Sequence, residues 1–257
     1  MDLKIAGRRA LVTGASTGIG RAIALGLAAE GVHVAVTARN QAKLNALADE
    51  IAATGAQRPA VVVADIASPD GAATAVAETL RHLGAVDILI NNAGASRPRD
   101  AANADLTDDE WWEESFALNF KAARRVTDGL VPGMKAAGWG RIVNLTGALT
   151  QPGVNAAGPA KAALWSWSRS LSAQLAPHGV TVNCIAPGRI RTPQIVERLF
   201  PTDEARRTEI EQRIPMGRFG EPEELAALAV FLSSEIAGYI TGTQVPVDGG
   251  MIRMALP

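Results

Sequence analysis

Thr13-Gly14-Ala15-Ser16-Thr17-Gly18-Ile19-Gly20 follows directly on the apolar run Ala10-Leu11-Val12 and leads into Arg21-Ala22-Ile23-Ala24-Leu25, whose apolar residues have helical spacing. A strand that enters a glycine-rich turn and leaves it as a helix has the makings of a phosphate site. Glycine lets the chain turn sharply and approach an anion closely, while the helix start offers unbonded N–H groups and the positive end of its dipole. Ordinary tight turns also use glycine, so the meaning of this one depends on what surrounds it.

On both sides of the turn, short Val/Ile/Leu/Ala runs alternate with longer helical stretches. Strands are predicted at 10–12, 32–38, 61–64, 86–90, 141–145, 180–186 and 244–247, and helices at 21–30, 41–54, 70–83, 108–137, 157–176 and 222–232. Uninterrupted apolar strands belong to a parallel sheet covered by helices on both faces. Gly31, Gly55, Gly84 and Gly179 close several of the helices. The expectation is one α/β domain built on a doubly wound, parallel, seven-stranded sheet. Pro132 falls inside the 108–137 helix and has no N–H to give, which predicts a kink or break there. The polar stretch 192–215 holds Pro193, Pro201 and Pro215 without a strand pattern, and reads as a mobile lid over a substrate.

Acidic and basic side chains number 26 and 25 among 257 residues, a balance that argues against nucleic acid or an anionic membrane as partner. Asp2, Lys4, Arg8 and Arg9 interrupt the first stretch and no apolar run approaches ~18 residues, so neither a signal peptide nor a membrane span is expected and the chain reads as cytoplasmic. Cys184 is the single cysteine, and His33, His82 and His178 are scattered, so no disulfide and no metal site is expected.

Further short motifs follow in order: Asp65-Ile66 after the third strand, Asn91-Asn92-Ala93-Gly94 after the fourth, then Asn119, Lys161, Pro187-Gly188 with Thr192, and Val247-Asp248-Gly249-Gly250. Together with the turn at 13–20, this order resembles the short-chain dehydrogenase/reductase family over nearly the whole chain, from about Leu3 to Met251. The resemblance implies a Rossmann-type domain that binds a nicotinamide dinucleotide. It would set Gly14, Ser16, Thr17, Gly18, Ile19 and Gly20 around the pyrophosphate, Asp65 and Ile66 at the adenine, and Asn92, Ala93 and Gly94 along the cofactor. Pro187, Gly188, Ile190 and Thr192 would hold the nicotinamide carboxamide, and Lys161 the nicotinamide ribose. After the second strand, Val36-Thr37-Ala38-Arg39-Asn40 offers no acid for a ribose 2'-hydroxyl, whereas Arg39 suits a 2'-phosphate, which favours NADP(H) over NAD(H). The resemblance further implies a homotetramer, or a homodimer, through the helices bearing Trp111, Trp112, Trp165 and Trp167, with Tyr239 near a second interface.

In that family a tyrosine four residues before the lysine transfers the proton, and a serine after the fifth strand orients the substrate. Here Ala157 stands four residues before Lys161, Gly147 stands at the serine position beside Thr146, and Tyr239 is the only tyrosine of the chain. A methyl group transfers no proton. The double absence, with Gly158-Pro159 ahead of Lys161, points to natural divergence rather than a single inactivating change. Pro187-Gly188-Arg189-Ile190 is similar to a subgroup with a small residue at the tyrosine position. Lys161, Asn119 and Thr146 are the catalytic candidates; Ser96, Thr150 and Asn155 are further polar ones, and Arg97, Arg99 and Arg189 are candidates to bind a substrate carboxylate or phosphate. A desolvated Lys161 with a lowered pKa would move the proton itself, or a water held by Lys161 and Asn119 would relay it. Three functions remain open: an NADP(H)-dependent oxidoreductase on a small carbonyl or hydroxyl substrate, a non-redox lyase, dehydratase or hydrolase, and an NADP(H)-sensing binding protein.

Overall fold

A computed structural model of the chain describes residues 1–96, 105–147 and 155–251. Its strands are β1 (Arg9–Thr13), β2 (His33–Ala38), β3 (Ala60–Val63), β4 (Ile88–Asn91), β5 (Gly140–Leu145), β6 (Val180–Pro187) and β7 (Gln244–Val247). All pair in parallel, in the order β3-β2-β1-β4-β5-β6-β7. Strand order reverses between β1 and β4, so the connections leaving these two strands go to opposite faces and open a crevice at their C-terminal ends.

Side chains alternate across the sheet. Ala10, Val12, Ile88 and Ile90 face one layer, in which α1 (Gly18–Ala29), α2 (Gln41–Ala53) and α8 (Pro222–Leu232) contribute Ile23, Leu27, Leu44, Leu47, Leu225 and Ala229. Leu11 and Leu89 face the other, in which α3 (Pro69–Leu83), α5 (Ala122–Ala137) and α6 (Ala157–Leu175) contribute Ala72, Ala75, Val126, Leu130, Met134 and Leu175. Both faces are dry, which is why the strands read as apolar runs without a polar alternate. At the end of the sheet opposite the crevice, Asp87 accepts from Arg9 Nε and Nη2, both at 2.8 Å, and from the Arg9 backbone N–H at 2.9 Å, tying β1 to the start of β4.

Two expectations need correction. The predicted 108–137 helix does not break at Pro132: α4 (Asp108–Phe116), a π-helical turn (Ala117–Lys121) and α5 follow without interruption to Ala137. Pro132 and Asp128, whose carbonyl loses the N–H partner, are both exposed, so the loss falls on the wet side of the helix. The irregularity sits instead at the π turn. Segment 192–215 is not a structureless loop either, since it forms a π-helical turn (Gln194–Leu199) and α7 (Asp203–Arg213), the latter started by the Thr202 hydroxyl accepting from Ala205 N–H. Among the described residues, no helix is long and apolar enough to cross a membrane.

Candidate active site

The crevice beyond β1 and β4 is a cleft of about 270 Å³. Gly14, Thr17, Gly18 and Ile19 form one side, Asn92, Ala93 and Gly94 the floor, and Pro187, Gly188, Ile190 and Thr192 the far wall. Bare backbone is required at this turn. A Cβ on Gly14 (φ +66°) would lie 2.9 Å from Ala93 Cα, and one on Gly20 would lie 2.5 Å from Gly14 O. Helices α2, α3, α4 and α7 each start with a side-chain oxygen, from Asn40, Ser68, Thr107 and Thr202, accepting a first-turn N–H. Helix α1 starts at Thr17 with no such cap and no acid in its first turn, which leaves its N–H groups for an anion. The donor set fits a pyrophosphate.

Asn92 has a structural task in this turn: its Nδ2 donates to Thr13 O and Gly14 O, each at 3.0 Å. Thr13, which sequence reasoning passed over, gathers the other strand, its Oγ1 accepting from Asn92 N at 3.0 Å and Ala93 N at 3.1 Å. Its position at the head of the glycine turn was the available signal. Gly188 donates its N–H to Val247 O at 2.9 Å, and a Cβ there would meet Asp248 Cα at 2.6 Å, so the closing Val247–Gly250 motif serves to seat the Pro187-Gly188 loop. Ser16, Gly20, Arg39, Asp65 and Ile66 do not line the cleft. Arg39 and Asp65 face each other at 3.9 Å across the ends of β2 and β3, largely exposed, whereas the Ile66 side chain is buried in the core.

Lys161 stands about one turn into α6 from its start at Ala157, and its Nζ donates to Leu145 O at 2.6 Å. A Cβ on Gly94 would fall 2.7 Å from Lys161 Nζ and 2.8 Å from Asn119 Oδ1, so both side chains converge on that glycine. Burial of the ammonium lowers its pKa to about 8, against a weaker opposing effect of Cys184. Burial likewise pushes the Cys184 thiol up to about 11. Ala157 opens α6, and Asn155 caps that start by accepting Gly158 N–H at 2.9 Å. Ala157, Gly147 and Gly158 line the cleft beside Lys161, while Tyr239 is fully exposed on the surface.

Other catalytic and binding candidates are occupied elsewhere. Thr146 is buried, its Oγ1 donating to Ile185 O at 3.1 Å and accepting from Gln244 Nε2 at 2.6 Å, so its proton points into the sheet and not at the substrate space. The Asn119 amide grips the backbone of Ala95, accepting its N–H and donating to its carbonyl, each at 3.1 Å, and donates to Ser115 O at 3.0 Å. It therefore fixes the Gly94-Ala95 floor and has no free donor for a relay water. Asn91 is buried in a chain of bonds to Thr127 Oγ1 at 3.0 Å and Asn144 Oδ1 at 2.8 Å. Arg189 does not face the cleft: it is paired with Glu209 at 2.6 Å. Ser96 and Gln194 meet across the entrance, the Gln194 Nε2 donating to Ser96 O at 3.5 Å. Arg97, Arg99 and Thr150 lie outside the described residues. Trp111 is buried within the chain and edge-on to Trp112 at 5.8 Å, so intramolecular packing accounts for it.

Comparison with known proteins agrees with this geometry. A family model described as enoyl-(acyl carrier protein) reductase matches residues 14–252. The 3-oxoacyl-(acyl-carrier-protein) reductase FabG of Pseudomonas aeruginosa is 37% identical over 252 residues, 97% of this chain and 99% of its own length. L-sorbose reductase from Gluconobacter frateurii, solved in complex with NADPH and L-sorbose, superposes with a TM-score of 0.91 at 35% identity over 99% of this chain and 100% of the other. The Pseudomonas aeruginosa RhlG/NADP complex superposes with a TM-score of 0.87 at 33% identity, covering 97% of this chain and 98% of the other. With a crevice, glycine turn and lysine in these places and relatives of this extent, the chain belongs to the short-chain dehydrogenase/reductase family of oxidoreductases.

Proposed function

We propose that the protein is an NADP(H)-dependent oxidoreductase acting on a small carbonyl or hydroxyl substrate, with proton transfer assigned to Lys161 in place of a tyrosine. The observation that carries this reading is the buried Lys161 ammonium beside Gly94, with a pKa of about 8, in a cleft where residue 157 is alanine and the chain's single tyrosine is remote. The uncapped α1 start and the glycine turn support cofactor binding. Arg39 supports a 2'-phosphate, which would displace Asp65 as its partner. A nicotinamide, when bound, supplies or accepts the hydride. In the reducing direction Lys161 gives a proton to the developing alkoxide and its remaining hydrogen bond to Leu145 O keeps Nζ in place; in the oxidising direction the neutral amine takes the hydroxyl proton. Gln194 and Ile195 of the 194–199 turn close the cleft from above, which supports the lid role of 192–215. A homotetramer in the cytoplasm is part of the same proposal.

The test is nicotinamide absorbance with the purified protein, NADPH or NADH, and a panel of small ketones, ketoses and 3-oxoacyl thioesters. Oxidation of NADPH by at least one carbonyl, lost in Lys161→Met, is the expected result. The absence of both the family's serine and tyrosine favours a second reading, non-redox chemistry on the same scaffold. Substrate turnover without any change in absorbance would establish it, and tight NADPH binding without turnover would point to a sensing protein.

A further inference from the structure

One buried ion pair, outside the cleft, joins the loop that follows β6 to the segment above the substrate space. Arg189 comes directly after Gly188, and its Nε donates to Glu209 Oε1 at 2.6 Å with the two side chains only 15% and 10% exposed. Glu209 is the buried residue of α7. The Arg189 guanidinium lies 5.2 Å from the Phe200 ring centroid, and Phe200 packs on Phe219 at 6.1 Å. The backbone closes the same joint: Gly220 N–H is donated to Arg189 O at 2.9 Å and Arg191 N–H to Gly220 O at 2.7 Å. On the lid side, Arg206 Nη1 donates to Val196 O and Phe200 O at 2.9 Å and to Pro201 O at 3.3 Å, which fastens the 194–199 turn to α7. Whatever holds α7 therefore holds Gln194 and Ile195 as well.

A carboxylate this deeply buried has to be paired. Arg213 Nη1 stands farther off, at 3.8 Å, so the docked place of α7 is the one in which Glu209 reaches Arg189. Arg189 in turn is covalently continuous with Pro187-Gly188, which lines the cleft, while neither Arg189 nor Glu209 does so. We propose that Arg189 and Glu209 are positioning residues that couple the lid to the nicotinamide loop. A cofactor that orders residues 187–192 fixes Arg189, and through Glu209 it sets α7 and the 194–199 turn over the substrate. The inference rests on the NADP(H) reading of the cleft.

Hydrogen–deuterium exchange with and without NADPH separates this role from a purely structural one. In the wild type, NADPH is expected to slow exchange both at 14–20 and at 194–213. In Glu209→Gln, which keeps the size and a neutral acceptor, protection at 14–20 stays and the cofactor-dependent slowing at 194–213 falls tenfold or more. A purely structural pair would speed exchange at 194–213 equally in both states and leave the NADPH-dependent ratio as in the wild type, which overturns the proposal. Arg189→Met with Glu209→Leu removes both charges of the pair and leaves only the partly exposed Arg213 without its carboxylate; this double variant is expected to lose the coupling too, and a wild-type ratio in it also overturns the proposal. Wild-type protection at 14–20 without any at 194–213 counts against the coupling alone, whereas no protection at 14–20 removes the NADP(H) reading and the coupling with it.

Discussion

A lysine whose pKa falls from 10.5 to about 8 is a group that changes charge in the working range of an enzyme. Desolvation is the main cause, and the sign of its effect on rate depends on direction. Reduction needs the ammonium, so its rate is expected to be level below about pH 8 and to fall above it, while alcohol oxidation rises through the same pH to a plateau. Lys161→Met should abolish both limbs and lower the rate by about 10²- to 10⁴-fold, the usual worth of a positioned acid or base. A pH–rate profile of kcat/KM in both directions decides it; a reduction rate that stays level to pH 10 would remove Lys161 as the acid. Arg39 carries a second prediction. Its side chain is exposed and faces Asp65 at 3.9 Å, so Arg39→Ala should weaken NADPH binding by about 10- to 100-fold through loss of a charge-assisted bidentate bond, with little change for NADH. Equal losses for both cofactors, measured by nicotinamide fluorescence, would mean that Arg39 does not read the phosphate.

Helix termini explain much of what is built around those side chains. Four helices end N-terminal N–H groups on Asn40, Ser68, Thr107 and Thr202, and the one helix that starts from the glycine turn does not, so a structural and a binding terminus differ in whether a side chain closes the first turn. That difference was not legible in the sequence, because α1 too begins at a threonine, Thr17, like α4 and α7. Nor was the π turn at Ala117–Lys121, because Ala-Leu-Asn-Phe-Lys holds neither proline nor glycine and fits a regular helix equally well. Pro132 misled for the opposite reason: a strong local signal in a position where solvent tolerates the lost bond. Gly133 next to it is also exposed in the helix interior, and a Cβ there would meet nothing within 4 Å. Gly133→Ala should therefore stabilise α5 by about 1 kcal/mol, seen as a rise in Tm of roughly 2–4 °C for a chain of this size. An unchanged or lower Tm would show that the exposed face of α5 is not free.

Seven strands were readable because both faces of the sheet are covered, and burial on both sides leaves no polar alternate to obscure the pattern. The cleft was readable in part, since glycines and asparagines at strand ends follow from the turns they make, whereas the partners of Arg189, Thr146 and Asn119 come from segments tens of residues away that no local spacing reports. Long-range pairing of that kind also closes the sheet at its far end, where Asp87 is almost fully buried and takes three hydrogen bonds from Arg9. Burial alone would raise the Asp87 pKa, but the bonds from Arg9 outweigh it and the carboxyl sits below its ordinary value of 3.8. A carboxylate with a depressed folded-state pKa stabilises the fold above the unfolded value, and that contribution disappears as the pH falls through the folded one. Asp87→Ala leaves the Arg9 backbone N–H and guanidinium without their acceptor, so it should cost about 2 kcal/mol at neutral pH. The gap between wild type and variant should then narrow as the pH drops from 3.8 through the lower folded-state value, below which the folded wild type too has lost the charge. Urea unfolding of both proteins at neutral and acid pH measures this directly, and a gap that stays constant into acid would mean that Asp87 acts through packing and not through its charge.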